Sequence, residues 1–193
     1  MATSSVPQSA VDSFTKILTS LPEMVILKPR VFGDERGFFL ESYNQRALAA
    51  AGIQESFVQD NHSYSARNVL RGLHYQIQHP QGKLVRVALG EILDVAVDLR
   101  RSSPTFGKWE AVRLSGENKQ MLWIPAGFAH GFLVVSEHAH VLYKATEYYA
   151  PEFERTLAWN DPELNINWGL EAEPVVSAKD QRGFALRDAE VFE

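Results

Sequence analysis

EILDVAVDLR, residues 91–100, decides how this chain folds. In an extended strand Leu93, Val95, Val97 and Leu99 share one face, opposite Ile92, Asp94, Ala96 and Asp98. The stretch therefore reads as a strand with one side in the core. Outward from it, similar runs rich in Val, Ile, Phe and Tyr recur on both sides. They are MVILKPRV (24–31), GFFLESY (37–43), SFVQDNHSYS (56–65), NVLRGLHYQI (68–77) and KLVRVAL (83–89) before it. KWEAVRLS (108–115), QMLWIP (120–125), GFLVV (131–135) and HVLYKATEYY (140–149) follow it. Only NQRALAAAG (44–52) reads as a helix, with Asn44 as its N-cap and Gly52 as its C-terminal stop.

Strands about 8 to 12 residues apart, separated by Gly, Pro and Asn/Asp turns, predict an all-β sandwich or barrel rather than βαβ units. A jelly roll with a few short helices meets this pattern, and its taper leaves room for a ligand at one mouth. Length and composition agree with one core: 193 residues, 45% hydrophobic, with no internal repeat and no low-complexity linker. The expected organisation is an N-terminal extension, 1–22, as a polar tail ending in a short helical turn, then a single domain over 23–193.

Charge and residue usage exclude several function classes. Lys and Arg number 19 against 24 Asp and Glu, a net charge of −5, which favours neither nucleic acid nor an anionic membrane surface. No apolar run approaches the roughly 20 residues that span a bilayer, and the first residues lack the basic and apolar regions of a secretory signal. The expected location is the cytoplasm. The absence of cysteine removes disulfides, thiolate metal sites and cysteine nucleophiles.

Polar chemistry concentrates in QDNHSYSARNVLRGLHYQIQHPQGKLVRV, residues 59–87, where His62, Arg71, His74, His79, Lys83 and Arg86 interrupt strand-like sequence. Strand parity puts His74 on the face of Gly72 and Gln76, and glycine there lets a ligand or a backbone approach closely. Arg71 has the opposite parity, so it shares that face only if Gly72 introduces a bulge. Taken alone, His74 equally suits a surface position or a hydrogen-bonded core histidine. A second segment, WIPAGFAHGFLVV (123–135), sets Pro125, Gly127 and His130 in a Pro-x-Gly-x-x-His turn that resembles the second motif of cupins. Metal-binding cupins need three or four convergent ligands. Here the His138–His140 pair follows this motif instead of preceding it, and His74-Tyr75-Gln76 offers one histidine where a pair is expected, so no metal site is predicted.

The segments FGDERGFFLESYN, FVQDNHS, VLRGLHYQ, QGKLVRV, GEILDVAVDLRRSSPTFGKW, LWIPAGFAHGF, YKATEYYAPEFE and SAKD, in this order from about Met24 to Asp180, resemble the dTDP-4-dehydrorhamnose 3,5-epimerase family. The resemblance implies a cupin-like jelly roll, a homodimer with exchanged N-terminal strands, and an isomerase working on a dTDP-sugar without metal or nucleotide cofactor. It also implies roles for residues. His74 looks like the general base, Asp180 its carboxylate partner, Tyr143 the proton donor on the opposite sugar face, and Lys83 the cation beside a developing enolate. Arg36, Glu41, Gln59, Asp60, Asn61, Arg71, His130, Glu154 and Lys179 look like substrate-binding positions, with Phe38 and Tyr148 stacking on the base. The loop QIQHPQGK is slightly shorter than the family's, which bears on His79.

That chemistry suits these residue types. A ketone at C4 acidifies the hydrogens at C3 and C5, because either carbanion is delocalised onto oxygen. A histidine can remove such a proton at neutral pH, a carboxylate can orient it, and a phenol can deliver a proton from the other face. Two rivals remain open to the residues alone: a metal-dependent cupin oxygenase or isomerase, and a non-catalytic sugar-nucleotide-binding jelly roll.

Overall fold

The computed structural model describes residues 13–193. Six strands, β1 (Phe14–Leu18), β2 (Val25–Pro29), β10 (Met121–Ile124), β7 (Lys83–Leu89), β12 (His138–Ala145) and β5 (Gln59–Ala66), lie side by side in that order. A second sheet has the order β13 (Glu154–Thr156), β6 (Leu70–Gln76), β11 (Phe128–Val134), β8 (Glu91–Asp98) and β9 (Trp109–Ser115). A separate hairpin pairs β3 (Val31–Asp34) with β4 (Gly37–Leu40). The two large sheets face each other as the expected cupin-like jelly roll. The helix α1 (Gln45–Ala50) begins where the sequence places it: the Asn44 side chain accepts hydrogen bonds from the Arg46 and Ala47 amides, and Gly52 follows at φ +96°.

Two expectations are revised. Residues 14–18 form strand β1, paired with β2 from Phe14 opposite Pro29 to Leu18 opposite Val25, so this stretch belongs to the sheet and is not a helical turn. The expected polar tail before it lies outside the described residues. The face of β8 bearing Asp94 is also buried. Ile92 and Ala96 join Val85, Val87, Val112, Leu114, Leu122, Ile124, Phe132 and Val141 in the core between the sheets. Val95, Val97 and Leu99 pack the other way, against Leu157, Leu164, Trp168 and Ala189 of the C-terminal segment. Alternation marks two faces, and what covers each depends on other strands of the sandwich for one and on the C-terminal segment, more than fifty residues away, for the other.

Each fully buried aliphatic side chain contributes roughly 1.5–3 kcal/mol, so this double burial makes β8 the spine of the domain. A third cluster seats α1, through Ala47 and Leu48, on Val25, Leu27, Leu84, Met121 and Trp123 of the six-stranded sheet. The outer face of the five-stranded sheet and the β2–β10–β7 part of the other are thus covered, and the space between the sheets beside β5 and β6 is left for the site.

Candidate active site

The β6–β11 pairing slips: His130 faces His74, but Phe132 faces Arg71, so β6 carries one residue more than its partner over this stretch. The extra residue lies beside Gly72, whose φ is +121°. A Cβ there would lie 2.5 Å from the Gly131 Cα, and one on Gly131 would lie 2.5 Å from the Arg71 carbonyl. Only paired glycines let these backbones approach so closely. The bulge restores a common direction to Arg71 and His74, while Leu70, Leu73 and Tyr75 point into the opposite, C-terminal cluster.

Arg71 and His74 line a cavity of about 590 Å³ with Lys83, His130, Tyr143, Glu154, Lys179 and Asp180. His74 and His130 come from one sheet, Lys83 and Tyr143 from the other, so the groups look at each other across the gap. His74 Nε2 lies 2.6 Å from Asp180 Oδ1. Burial by itself would raise the Asp180 carboxyl. Hydrogen bonding and charge from His74, with help from Ser177 and the Gly72 amide, outweigh it and hold the group below its ordinary value.

His130 donates from Nε2 to both Asp94 oxygens at 3.0 Å, deep in the fold. Burial lowers the Lys83 ammonium to about 8, against the pull of Asp94 and Glu154. Glu154 is held below its ordinary value despite burial, because Lys179 (2.8 Å) and the Tyr149 hydroxyl (3.0 Å) donate to it. Burial raises the Tyr143 phenol above its ordinary value, Glu154 adding to the shift and Arg71 opposing it, so the phenol keeps its proton at neutral pH. The arrangement combines a carboxylate-oriented imidazole, a protonated phenol facing it and a desolvated ammonium: the parts needed to move a proton at carbon beside a carbonyl. Among the described residues, no group of three or more His, Cys, Asp or Glu side chains is placed to hold a metal ion.

The remaining predicted positions lie outside this cavity. Arg36 sits at the exposed turn between β3 and β4, paired with Asp34, and Glu41 accepts from the Asn44 side chain. Asp60 points to the outer face of β5, 2.8 Å from Lys144, because its parity is opposite to that of Gln59 and Asn61. Gln59 holds the Tyr149 amide and the Asn61 side chain at the rim. Phe38 and Tyr148, the expected base-stacking residues, are exposed, while Tyr149, next to Tyr148, lines the cavity. The strand ends at Ala145, so alternation no longer indicates which of the two tyrosines turns inward. His79 lies at φ +52° with its ring near Phe153, away from the cavity. Asp94, Tyr149, Ser63 and Ser177 escape the sequence reading. Only Asp94 carried a signal, as an acid at the centre of a strand whose other interior positions are apolar.

A family model described as dTDP-4-dehydrorhamnose 3,5-epimerase matches residues 18–188. The chain is 63% identical over 174 residues to the dTDP-4-dehydrorhamnose 3,5-epimerase of Pseudomonas aeruginosa, covering 90% of this chain and 96% of that protein. It is 58% identical over 166 residues to that of Salmonella typhimurium, covering 85% of this chain and 91% of the relative. Its fold matches the crystal structure of dTDP-6-deoxy-D-glucose-3,5-epimerase from Legionella pneumophila, in complex with dTDP-4-keto-L-rhamnose, with a TM-score of 0.89 and 50% identity over 92% of this chain and 95% of that one. The chain belongs to the dTDP-4-dehydrorhamnose 3,5-epimerase family.

Proposed function

We propose that this enzyme inverts C3 and C5 of dTDP-4-dehydro-6-deoxy-D-glucose, giving dTDP-4-dehydro-L-rhamnose, by removing and returning a proton at each carbon. The observation that carries the reading is His74, hydrogen-bonded to Asp180, facing Tyr143 across one cavity. His74 takes the proton, and the buried carboxylate stabilises the imidazolium that forms. Lys83 supplies positive charge where the enolate oxygen develops. Tyr143 gives a proton to the far face of the ring. No electron leaves the sugar, so the chemistry calls for no redox partner.

Arg71 and Lys83 have no carboxylate within ion-pair distance among the described residues, leaving cationic capacity for the anionic substrate in a chain of net charge −5. Arg71 suits the diphosphate, since a guanidinium binds phosphoryl oxygens in a fork. The hairpin of β3 and β4 exposes Phe32, Phe38 and Phe39 and carries Arg36 away from its own cavity. In a homodimer with exchanged N-terminal segments, this hairpin would bring Arg36, Phe38 and Glu41 to the partner's site and cover the exposed aromatics. No helix among the described residues is long and apolar enough to cross a membrane.

Incubating the protein with dTDP-4-keto-6-deoxyglucose in deuterated buffer tests the reading by NMR. Deuterium should enter at C3 and C5 with inversion at both. Binding without exchange at either carbon would leave only a sugar-nucleotide-binding jelly roll.

A further inference from the structure

We propose that the inward-facing serines of β5 build the anion subsite around Arg71, Ser65 as the residue that aims the guanidinium and Ser63 as a second donor to the same phosphoryl group. The proposal rests on the diphosphate reading above. Ser63 and Ser65 alternate with the outward-facing His62 and Tyr64, so they share the inner face of an edge strand lying over β6.

Ser65 is 4% exposed, and its Oγ accepts from Arg71 Nε at 2.9 Å. That is the side-chain hydrogen bond Arg71 makes among the described residues. It uses the inner nitrogen of the guanidinium and leaves both terminal nitrogens for a ligand. A long side chain on a bulged strand has many rotamers to lose on binding, and one bond to Nε removes much of that freedom beforehand. The bulge at Gly72 chooses the face toward which Arg71 points. Ser65 then chooses its direction within the cavity.

Ser63 supplies the independent observation. It lines the same cavity, yet its Oγ is buried with no hydrogen-bond partner among the described residues. A buried hydroxyl left unpaired is destabilising and calls for an explanation. Rotation about its Cα–Cβ bond turns the hydroxyl into the cavity, where a phosphoryl oxygen held by Arg71 would complete its bonding. A hydroxyl and a guanidinium side by side fit a tetrahedral oxyanion better than a neutral sugar.

The test uses calorimetric titration of the full-length protein with dTDP and with thymidine. Ser65→Ala should weaken dTDP binding roughly three- to ten-fold, the scale of one ordinary net hydrogen bond. Thymidine binding should not change. Ser65→Thr, which keeps the hydroxyl, should restore most of the loss. In an Arg71→Ala background, Ser65→Ala should cost nothing further, because it acts through Arg71. In turnover, its effect should fall on KM more than on kcat. Ser63→Ala should weaken dTDP binding without lowering the unfolding temperature of the free protein, since it removes an unpaired hydroxyl. Additive losses in the double variant, equal losses for thymidine and dTDP, or a Ser63→Ala variant that binds dTDP normally would overturn the proposal while leaving the diphosphate reading intact. An Arg71→Ala variant that binds dTDP as well as the unmodified protein would overturn both.

Discussion

His74 and Asp180, 106 residues apart in the chain, meet with Nε2 2.6 Å from Oδ1. The carboxylate reaches the ring from a short 3-10 turn that begins at Asp180 and packs against β6. With Nε2 committed to Asp180, the tautomer and the plane of the imidazole are fixed, and Nδ1 is the nitrogen left to exchange protons with a ligand.

Removing that ring should stop proton abstraction at both carbons. His74→Ala is expected to lower deuterium exchange at C3 and C5 by at least the roughly 10²–10⁴-fold that one general base supplies, with dTDP binding largely retained. Asp180→Asn should lower it less, since the base survives without its charge partner. Unchanged exchange in a folded His74→Ala protein would make His74 a structural residue.

Tyr143→Phe should uncouple exchange from inversion. The ring and its packing remain, so His74 can still take a proton and return a deuteron to the same face. At the carbon that depends on Tyr143, inversion should drop by roughly 10²–10⁴-fold while exchange survives better. NMR that follows both in one deuterated sample decides it, and an equal fall in the two would remove Tyr143 from the acid role.

Lys83 sets an alkaline limit. Burial brings its ammonium to about 8, so the charge beside the enolate is lost as pH rises through that value. The expected kcat/KM, which reports the free enzyme, declines above about pH 8. The stability sign is the reverse: between about 8 and the ordinary 10.5 the unfolded chain binds the extra proton, so folding stability gains with pH across that window. Lys83→Met should therefore unfold at a higher temperature near neutral pH and turn over slowly. A kcat/KM flat to well above pH 9 would deny Lys83 an electrostatic role.

Gly72→Ala should damage both fold and site. Its Cβ would lie 2.5 Å from the Gly131 Cα and 2.8 Å from the His130 carbonyl, backbone atoms that cannot swing aside. Overpacking of this kind costs roughly 1–3 kcal/mol, and the φ of +121° adds strain for any residue with a side chain. Thermal unfolding should show the loss, and any folded remainder should bind dTDP weakly because Arg71 and His74 no longer share a face.

Most of the strands, the helix α1 and much of the chemical inventory were legible in the sequence. Apolar alternation in EILDVAVDLR and its neighbours records a backbone period of two, a local property, so the strands were legible without their partners. Asn44 and Gly52 bounded α1 because capping is settled within a turn of chain. His74, Lys83, Tyr143 and Asp180 stood out through ordered motifs, and the structure gathers all of them into one cavity.

Tertiary structure alone decided which faces those periods served. Asp94 sat on the face that looked solvent-bound, and only the opposing sheet made it buried and the partner of His130. Tyr149 came to line the cavity where the chain has left the strand at Ala145, and no period remains there to indicate direction. Arg71 came to the side of His74 through a register slip that exists only between two strands, β6 and β11. Parity is local, but a bulge, a covering segment and a buried ion partner are relations between distant pieces of chain. Such relations arise when the sheets close on each other.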